Sequence, residues 1–358
     1  MRVLFMLDDL GHGGAERVTL NLLQRVTPEV TKRGGEVGLF VSGAGSSLSG
    51  LVPPNVKVWQ ANETRRLRSS LFSLRKAYAS VSFGYDLVIP TSPHTLALTI
   101  AGGKPVLPWV HFSWEGFKPY LSGMLKAEVA MLYPIQRRMV QVSPSSISAM
   151  PALFGKKGWS WIPNMFDPLL YKGVFQHQAL FDRLRGGGNP ILGYIGRLAP
   201  EKGVERLLEV HRRLLGEGSK HWLVVAGEGP MRPALEQEQG VFLLGEIENP
   251  LPFMEQLDAL LLTSYHEAWP TVITEAIWAN TPVIAYDCPT GPRDMLTGGL
   301  STGLVQDGDV TAFAAAVATV LNSPDTALSS QDRLAFLDRA DPERVVANWV
   351  SLIFGDCH

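Results

Sequence analysis

The chain of 358 residues has a formal net charge of −2, and its 46% hydrophobic content is ordinary for a soluble α/β protein. The length allows two domains with separate cores. Two cysteines, Cys288 and Cys357, argue against a disulfide framework and predict a reducing, cytoplasmic compartment. Met1–Leu7 is too short and too soon followed by acidic residues for a signal peptide, and no apolar run approaches the ~20 residues that span a bilayer.

The charges are distributed unevenly along the chain. Residues 1–165 carry 18 Lys and Arg against 9 Asp and Glu, whereas the remainder carries 14 against 25. This asymmetry favours an anionic partner for the first half, although an uneven surface charge without a function would look the same. No basic motif interleaved with aromatic residues is present, so nucleic acid is not the expected partner.

Strand-like and helical segments alternate in the first half, which predicts parallel sheets built from βαβ units. The apolar strand Val3–Leu7 leads through the glycine-rich turn Gly11–Arg17 into a helix. Such a turn can bring backbone N–H groups against phosphate, or it can be only a flexible connection. It is a poor dinucleotide fingerprint, because Glu16 occupies the third glycine position, and this disfavours a nicotinamide dehydrogenase. Further predicted strands are Glu36–Val41, Asp86–Ile89, Pro105–Val110 and Met139–Val142.

A basic helical pattern covers residues 64–76, where leucines 67, 71 and 74 share one face. Such a helix can lie on an anionic membrane surface, or it can be a solvated helix packed on its own domain. The first interpretation predicts a protein that is peripheral on the inner face of the cell membrane. Its five basic residues are Arg65, Arg66, Arg68, Arg75 and Lys76.

His111 ends a predicted strand, and the carboxyl end of a parallel strand faces the ligand cleft, so His111 is a candidate site residue. We predict an N-terminal Rossmann-like domain over 1–165. Residues 166–190 lack clear periodicity and are predicted to connect the domains. The second Rossmann-like domain is predicted over 191–340, with a last helix over 341–358 that packs back on the first domain.

The second half restarts the alternation with strands Ile191–Ile195, Trp222–Ala226 and Val241–Leu244. After the first of these, a glycine-rich loop carries Arg197 and Lys202, which are natural partners for a diphosphate. The alternative is a solvated loop in which Lys202 pairs with its neighbour Glu201. The sequence contains no Asp-x-Asp at a strand end and no His or Cys cluster with metal-ligand spacing, so no metal is expected.

The most informative stretch follows the apolar strand Asp258–Leu262. Glu267 is predicted at the carboxyl end of this strand and Glu275 in the second turn of a helix over 271–279, ahead of the strand Pro282–Ala285. Backbone N–H groups near Thr271 and Val272 would point at an anion. Two carboxylates beside an anion site predict recognition of hydroxyl groups on a phosphorylated, polyhydroxy ligand.

Five motifs follow one another along the chain. They are Gly-His-Gly-Gly14-Ala-Glu-Arg17, Gly196-Arg197-Leu-x-x-Glu-Lys202-Gly203, Gly227-Glu-Gly-Pro230, Glu267-x7-Glu275 and Pro282-Val-Ile-Ala-x-Asp-Cys288-Pro-Thr-Gly-Pro-Arg293. In this order and spacing they resemble retaining glycosyltransferases of family 4, the glycosyl transferases group 1. The resemblance covers nearly the whole chain and implies the GT-B architecture, in which two Rossmann-like domains with parallel sheets face each other across a cleft.

The resemblance implies that the second domain binds a nucleotide-diphospho-sugar. Arg197 and Lys202 would hold the diphosphate and stabilise it as a leaving group, while the amides near Thr271 and Val272 would contact the distal phosphate. Gly14 would bring its backbone N–H group to that phosphate from the other domain. The implied donor-binding set also includes Gly13, Gly196 and Gly227.

The remaining implied roles concern the sugar and the nucleoside. Glu267 would contact hydroxyl groups of the donor sugar, and His111 would help to stabilise positive charge at the anomeric carbon. Glu275 would accept hydrogen bonds from the ribose hydroxyls, and Ile247 lies where such enzymes hold the base. Trp269 stands where this family commonly has Phe, so it would shape the sugar pocket differently.

The sequence therefore predicts a metal-independent, retaining hexosyltransferase of cell-surface polysaccharide or glycoconjugate biosynthesis. Its donor would be a nucleotide-diphospho-sugar, with UDP-sugars favoured, and its acceptor a glycan or lipid-linked glycan. Two alternatives remain open at this point. One is a GT-B sugar phosphorylase or epimerase, and the other is a catalytically inactive subunit that binds a nucleotide-sugar.

Overall fold

The computed structural model describes residues 1–11, 13–61, 69–113, 131–136, 138–149, 158–323 and 328–355. The chain divides into two compact units, one formed by Met1–Met165 with Ala340–His358 and the other by Phe166–Arg339. In these described ranges, no helix combines the length and the apolar character that crossing a membrane requires.

The first unit contains two parallel sheets. One has the strand order β3-β2-β1-β4 and the other the order β5-β6-β7, and a parallel bridge joins Val88 to Val106 just before β5. The central strand β1 is buried from Val3 to Leu7, as expected when both faces of a parallel sheet are covered. The strands are β1 (Arg2–Leu7), β2 (Glu36–Val41), β3 (Lys57–Gln60), β4 (Leu87–Pro90), β5 (Trp109–Val110), β6 (Met139–Gln141) and β7 (Trp159–Trp161).

The helices of the first unit cover these sheets, and the last helix of the chain is among them. Asp341 caps this helix by accepting a hydrogen bond from the Arg344 N–H group, and the helix stops at Gly355 in the left-handed region. Its fully buried Trp349 lies 4.7 Å from the Trp109 ring and 6.2 Å from the Phe5 ring. The helices are α1 (Gly14–Lys32), α2 (Ser69–Ser82), α3 (Pro93–Leu98), α4 (Pro144–Ala149) and, at the end of the chain, α13 (Pro342–Phe354).

The second unit has one six-stranded parallel sheet with the order β10-β9-β8-β11-β12-β13. The chain begins this sheet at its centre, builds outward in one direction through β9 and β10, and then returns to add β11 on the other side of β8. The strand order therefore reverses between β8 and β11. The strands are β8 (Ile191–Ile195), β9 (Trp222–Ala226), β10 (Val241–Gly245), β11 (Ala259–Leu262), β12 (Val283–Asp287) and β13 (Leu304–Gln306).

Amphipathic helices bury the core of the second unit. The helix after β8 places Leu207, Leu208 and Leu214 on one apolar stripe against the sheet. The helix after β11 ends before Asn280, whose φ of 61° suits a helix stop. The helices are α5 (Gln178–Gly186), α6 (Val204–Gly216), α7 (Arg232–Glu236), α8 (Leu251–Met254), α9 (Thr271–Trp278), α10 (Pro292–Met295), α11 (Val310–Asn322) and α12 (Ser330–Arg339).

The structure corrects one expectation and does not describe part of another. Residues 166–190, predicted as a linker between the domains, belong to the second unit and include α5, which buries Phe181 and Leu184. The expectation arose because only two apolar residues of this short helix face inward, which is too few for a visible period. Of the basic helix, Arg65, Arg66 and Arg68 lie outside the described residues.

Candidate functional site

The candidate site of the second unit lies at the switch point between β8 and β11. In open α/β sheets, ligands bind outside the carboxyl ends of the strands at such a reversal. Lys202, in the loop after β8, donates a hydrogen bond of 2.7 Å from Nζ to Oε1 of Glu267, in the loop after β11. Both side chains are largely shielded from solvent, with 31% and 11% exposure. Two residues that are 65 positions apart in sequence thus form one ion pair.

The structure excludes the alternative pairing of Lys202 with Glu201. Glu201 instead pairs with Arg197, four residues earlier in the same loop, and the Arg197 side chain is 66% exposed. Each cation of the predicted diphosphate site therefore has its own carboxylate partner. Exposed pairs of the Arg197–Glu201 kind contribute little to stability, so exchanging this partner for an anionic ligand costs little free energy.

Glycines bring the loops at this edge into direct backbone contact. A Cβ atom on Gly203, which has a φ of +65°, would lie 2.0 Å from the backbone oxygen of Thr263. A Cβ atom on Gly227 would lie equally close to the backbone oxygen of Gly196. The N–H groups of Gly196 and Gly227 donate to backbone oxygens of β9 and β10. These two glycines were predicted to bind the donor, and the structure shows that their N–H groups form backbone hydrogen bonds to neighbouring strands.

The loop that carries Glu267 is supported from beneath by the loop after β12. The buried hydroxyl of Thr290 donates to the backbone oxygen of Glu267, and Cys288 Sγ donates to the backbone oxygen of Thr290 at 3.5 Å. Burial, aided by the nearby Glu267 carboxylate, raises the pKa of the Cys288 thiol to about 12. The motif that ends at Arg293 includes Thr290, but the sequence does not show that its hydroxyl supports the loop of Glu267.

Helix α9 presents its first N–H groups without a side-chain cap. The residue before it is Pro270, whose side chain has no group that could accept a hydrogen bond from Thr271 or Val272, while its backbone oxygen accepts from the Ile273 N–H group. The start of a helix carries partial positive charge and unpaired N–H donors, so it favours an anion. Glu275, in the same helix, is only 5% exposed and accepts a hydrogen bond of 2.9 Å from the Tyr171 hydroxyl. The sequence did not indicate Tyr171, because it lies in the segment predicted to be a connection.

Ile247 and Trp269 lie at two other places along this edge. Ile247 follows β10 by two residues and is partly exposed, whereas Trp269 is 5% exposed between Glu267 and the start of α9. Among the residues that the structure describes, no group of three or more His, Cys, Asp or Glu side chains is arranged for a metal ion. Metal independence stays a prediction.

In the first unit, the glycine-rich turn leads directly into α1. Gly13 is the N-cap residue in an extended conformation, and no side chain caps the helix there. Gly14 has open space around it, since a Cβ atom would meet nothing within 4 Å. The turn before it is fixed by Asp9, whose carboxylate accepts a hydrogen bond of 2.6 Å from the Gly11 N–H group. Asp9 is therefore a turn residue.

His111 directly follows β5, as predicted. Its ring centroid lies 4.2 Å from that of Trp109, and its Nε2 atom is buried with no hydrogen-bond partner among the described residues. Burial lowers the pKa of His111 to about 3. The imidazole is therefore neutral at physiological pH.

Comparison with solved structures defines the class of fold. The chain aligns with HepE of Anabaena in complex with UDP and glucose at a TM-score of 0.78, with 19% identity, over 99% of this chain and 100% of that one. It aligns with sucrose-phosphate synthase of Thermosynechococcus elongatus at a TM-score of 0.80, with 18% identity, over the whole of both chains. The fold is GT-B, which confirms the predicted fold class.

Sequence comparison then gives the family. Residues 177–334 match the family model of the glycosyl transferases group 1, and the second unit belongs to this family. A 2-deoxystreptamine glucosyltransferase of Streptomyces kanamyceticus is 32% identical over 151 residues, which are 40% of this chain and 39% of that protein. A poly(ribitol-phosphate) alpha-N-acetylglucosaminyltransferase of Staphylococcus aureus is 23% identical over 45% of this chain and 35% of that protein. The matches thus span little more than a third of these relatives.

Proposed function

We propose that this protein is a retaining glycosyltransferase that moves a sugar from a nucleotide-diphospho-sugar to a glycan or lipid-linked glycan. The observation that carries the proposal is the Lys202–Glu267 pair at the switch point of the second unit. The uncapped start of α9 and the buried Glu275 follow it in the same segment. UDP-sugars are the favoured donors, supported by the UDP named for the Anabaena structure. A glycan acceptor is supported by relatives named for capsular polysaccharide biosynthesis and for poly(ribitol-phosphate).

In the proposed reaction, an acceptor hydroxyl oxygen bonds to the anomeric carbon while the bond from that carbon to the diphosphate breaks. The electron pair of the broken bond leaves with the nucleoside diphosphate, and the acceptor proton passes to an oxygen of this leaving group. The new bond forms on the face that the leaving group vacates, which retains the configuration. Arg197 and Lys202 stabilise the negative charge that develops on the diphosphate.

Glu267 serves this reaction as a binding residue. Its carboxylate is held by Lys202 at 2.7 Å, and an ionised carboxylate is an acceptor for the hydroxyl groups of a sugar. The neutral imidazole of His111 suits the proposed role near the anomeric carbon, because it adds no charge that would repel developing positive charge. Neither residue is needed as a general base, since the leaving diphosphate accepts the proton.

A thermal-shift screen against UDP, GDP, ADP and their sugars tests the donor class. A ligand at ~100 times its dissociation constant adds about 2.7 kcal/mol to the free energy of unfolding, which gives a clear shift. We expect a shift with UDP and UDP-sugars. A chain that responds to none of these compounds contradicts the proposal.

Single substitutions test the assigned residues. We expect Arg197→Ala, Lys202→Ala and Glu275→Ala each to lower sugar transfer, or donor hydrolysis without acceptor, by ~10²-fold or more, because each removes an interaction with the donor. The matched control is Arg213→Ala, which also removes an exposed Arg that pairs with a Glu four residues later. Arg213 lies in the last turn of α6, so its loss leaves turnover unchanged. Full activity in any of the three site variants refutes that residue's assigned role.

Product analysis separates the two alternatives from transfer. Release of a sugar 1-phosphate that depends on orthophosphate would indicate a phosphorylase, and an epimerised donor would indicate an epimerase. Tight binding of a nucleoside diphosphate with no donor turnover on any acceptor would indicate a binding subunit. Any of these three results would contradict the proposed transfer.

We also propose that the first unit contacts an anionic membrane through the outer face of α2. Phe72 on this helix is 78% exposed and Phe83, directly after it, is 82% exposed, while Leu74 and Tyr78 are buried on the opposite face. The Lys104 ammonium lies 5.3 Å from the centre of the Phe83 ring. Two exposed aromatic rings, one of them beside a cation, suit the interface of an anionic bilayer.

Vesicle sedimentation tests this contact. We expect binding to vesicles that contain phosphatidylglycerol, less binding to phosphatidylcholine alone, and a loss on Phe72→Ser with Phe83→Ser. The control is Leu334→Ser, which changes a 64% exposed apolar residue of the second unit. Equal sedimentation of all variants with both vesicle types refutes the membrane contact.

A further inference from the structure

Tyr171 contacts two parts of the chain that we assign to the nucleoside, namely Glu275 and the loop after β10. We propose that it is the positioning residue that holds these two parts together. Its hydroxyl donates to Oε1 of Glu275 at 2.9 Å, and its backbone oxygen accepts a hydrogen bond of 3.3 Å from Asn249 Nδ2. Glu275 is assigned to the ribose. Asn249 lies two residues after Ile247, which is assigned to the base. The inference rests on the proposed function, because both assignments come from it.

The backbone around Tyr171 is fixed by a short turn. The buried Asp167 accepts a hydrogen bond of 3.0 Å from the Leu169 N–H group and so caps the 3-10 turn Pro168–Leu170. The Tyr171 N–H group donates to the backbone oxygen of Pro168 at 3.1 Å, which closes the turn. Tyr171 therefore leaves the turn in a single extended conformation, with its side chain directed at α9.

Aromatic contacts hold the ring of Tyr171 in place. Its centroid lies 5.3 Å from that of Phe166, and Phe166 lies 6.0 Å from Trp278, three residues after Glu275 in α9. Residues three apart in a helix lie on the same side, so the Phe166 ring and the Tyr171 hydroxyl contact one face of α9. The ring therefore stays in position when only the hydroxyl is removed.

On the other side, the segment after Tyr171 lies against the loop that follows β10. A Cβ atom on Gly173 would lie 3.0 Å from Oε2 of Glu248. Asn249 uses both ends of its amide, because its Oδ1 accepts a hydrogen bond of 3.0 Å from the Leu251 N–H group at the start of α8. The loop next to Ile247 is thus anchored to Tyr171 and to α8 at once.

The hydroxyl of Tyr171 determines which way the Glu275 carboxylate points. A carboxylate only accepts hydrogen bonds, so the tyrosine must be the donor, and a side chain that is 5% exposed needs such donors. Removing the hydroxyl takes away a donor that orients the carboxylate, and the bonds to the ribose hydroxyls then weaken. Affinity for a nucleotide without those hydroxyls does not depend on the orientation of Glu275.

The test compares UDP with 2′,3′-dideoxy-UDP in Tyr171→Phe. We expect the variant to bind UDP about tenfold more weakly, equivalent to about 1.4 kcal/mol, and to bind the dideoxy compound within twofold of the wild type. Loss of packing would weaken both ligands equally, so the ratio of the two dissociation constants reports on positioning alone. Equal losses, or an unchanged affinity for UDP, overturn the proposal.

Two further variants complete the experiment. Tyr265→Phe is the matched control, since it removes a tyrosine hydroxyl that donates to Oε1 of Glu205 in α6 at 3.1 Å rather than to Glu275, and it should change neither constant. Glu275→Ala should remove the preference for UDP over the dideoxy compound. If Glu275→Ala keeps this preference, the assignment of Glu275 in the proposed function fails. If Glu275→Ala loses the preference while Tyr171→Phe keeps it, only the role of Tyr171 fails.

Discussion

A buried pair of histidines in the second unit predicts a loss of stability at mildly acidic pH. His211 Nδ1 and His221 Nε2 lie 2.9 Å apart, and both side chains are at most 3% exposed. His211 Nε2 contacts the backbone oxygen of Gln239 at 2.8 Å, and His221 Nδ1 contacts the Ser219 hydroxyl at 3.0 Å. A carbonyl only accepts, so His211 carries its proton on Nε2, accepts from His221 on Nδ1, and both rings are neutral.

The pKa values of both histidines are lowered, and this fixes the sign of the effect. Burial lowers the pKa of His221 from 6.5 to about 4, with a further contribution from His211, and burial also lowers the pKa of His211. Between about pH 4 and pH 6.5, the unfolded chain therefore binds more protons than the folded chain. The stabilising contribution is complete above about pH 6.5 and is lost as the pH falls towards 4. For His221 alone, the loss between pH 7 and pH 5 is about 2 kcal/mol.

Urea titrations at pH 7 and pH 5 measure this loss. Amide hydrogen exchange at the same two pH values, in the peptide that contains β9, shows whether the loss affects this strand. We expect His221→Gln, which cannot titrate, to lose less stability between the two pH values than the wild type by about 2 kcal/mol. His94→Gln in the first unit is the control and should leave the exchange of β9 unchanged. An identical pH dependence in the wild type and His221→Gln would refute the reasoning.

Two more predictions concern the surroundings of the candidate site. Gly203→Ala should lower the free energy of unfolding by more than the cost of about 1–2 kcal/mol for a left-handed residue, because its Cβ atom would also clash with Thr263. The control is Gly216→Ala at the other end of α6. Its Cβ atom meets no atom within 4 Å, so it should be neutral or slightly stabilising. Thermal unfolding measures both, and similar midpoints would contradict the close contact. Cys288 should resist iodoacetamide at pH 8 in the folded protein and react in urea, because only the thiolate is reactive and its pKa is raised to about 12. Mass spectrometry of the Cys288 peptide would disprove this if it found rapid labelling without urea.

The sequence was sufficient for the elements with a strong local pattern. The predicted bounds of Glu36–Val41, Ile191–Ile195 and Trp222–Ala226 match the strands of the structure, because continuous apolar runs between turn residues have few other interpretations. Strands β3 and β13 were not predicted, since they have only 4 and 3 residues and segments this short show too little alternation to be read as strands.

The candidate site was predictable in its residue types and not in its contacts. Arg197, Lys202, Glu267 and Glu275 follow from their motifs, but the partner of each cation depends on how two loops approach each other. Tyr171 could not be found from the sequence, because a hydrogen bond between residues 104 positions apart leaves no periodic trace. The Asp167-Pro168 turn just before it was the one local signal that this segment is ordered.

The backbone contacts at the carboxyl edge also limit how the protein could be redesigned. Side chains introduced at Gly203 or Gly227 would push apart the loops at this edge, so mutant libraries at these two positions should yield mostly misfolded chains. Trp269 and Ile247 already carry side chains, so replacing them adds no Cβ atom to a close backbone contact. A change of sugar or base preference is therefore best sought by varying Trp269 and Ile247, with the glycine framework left intact.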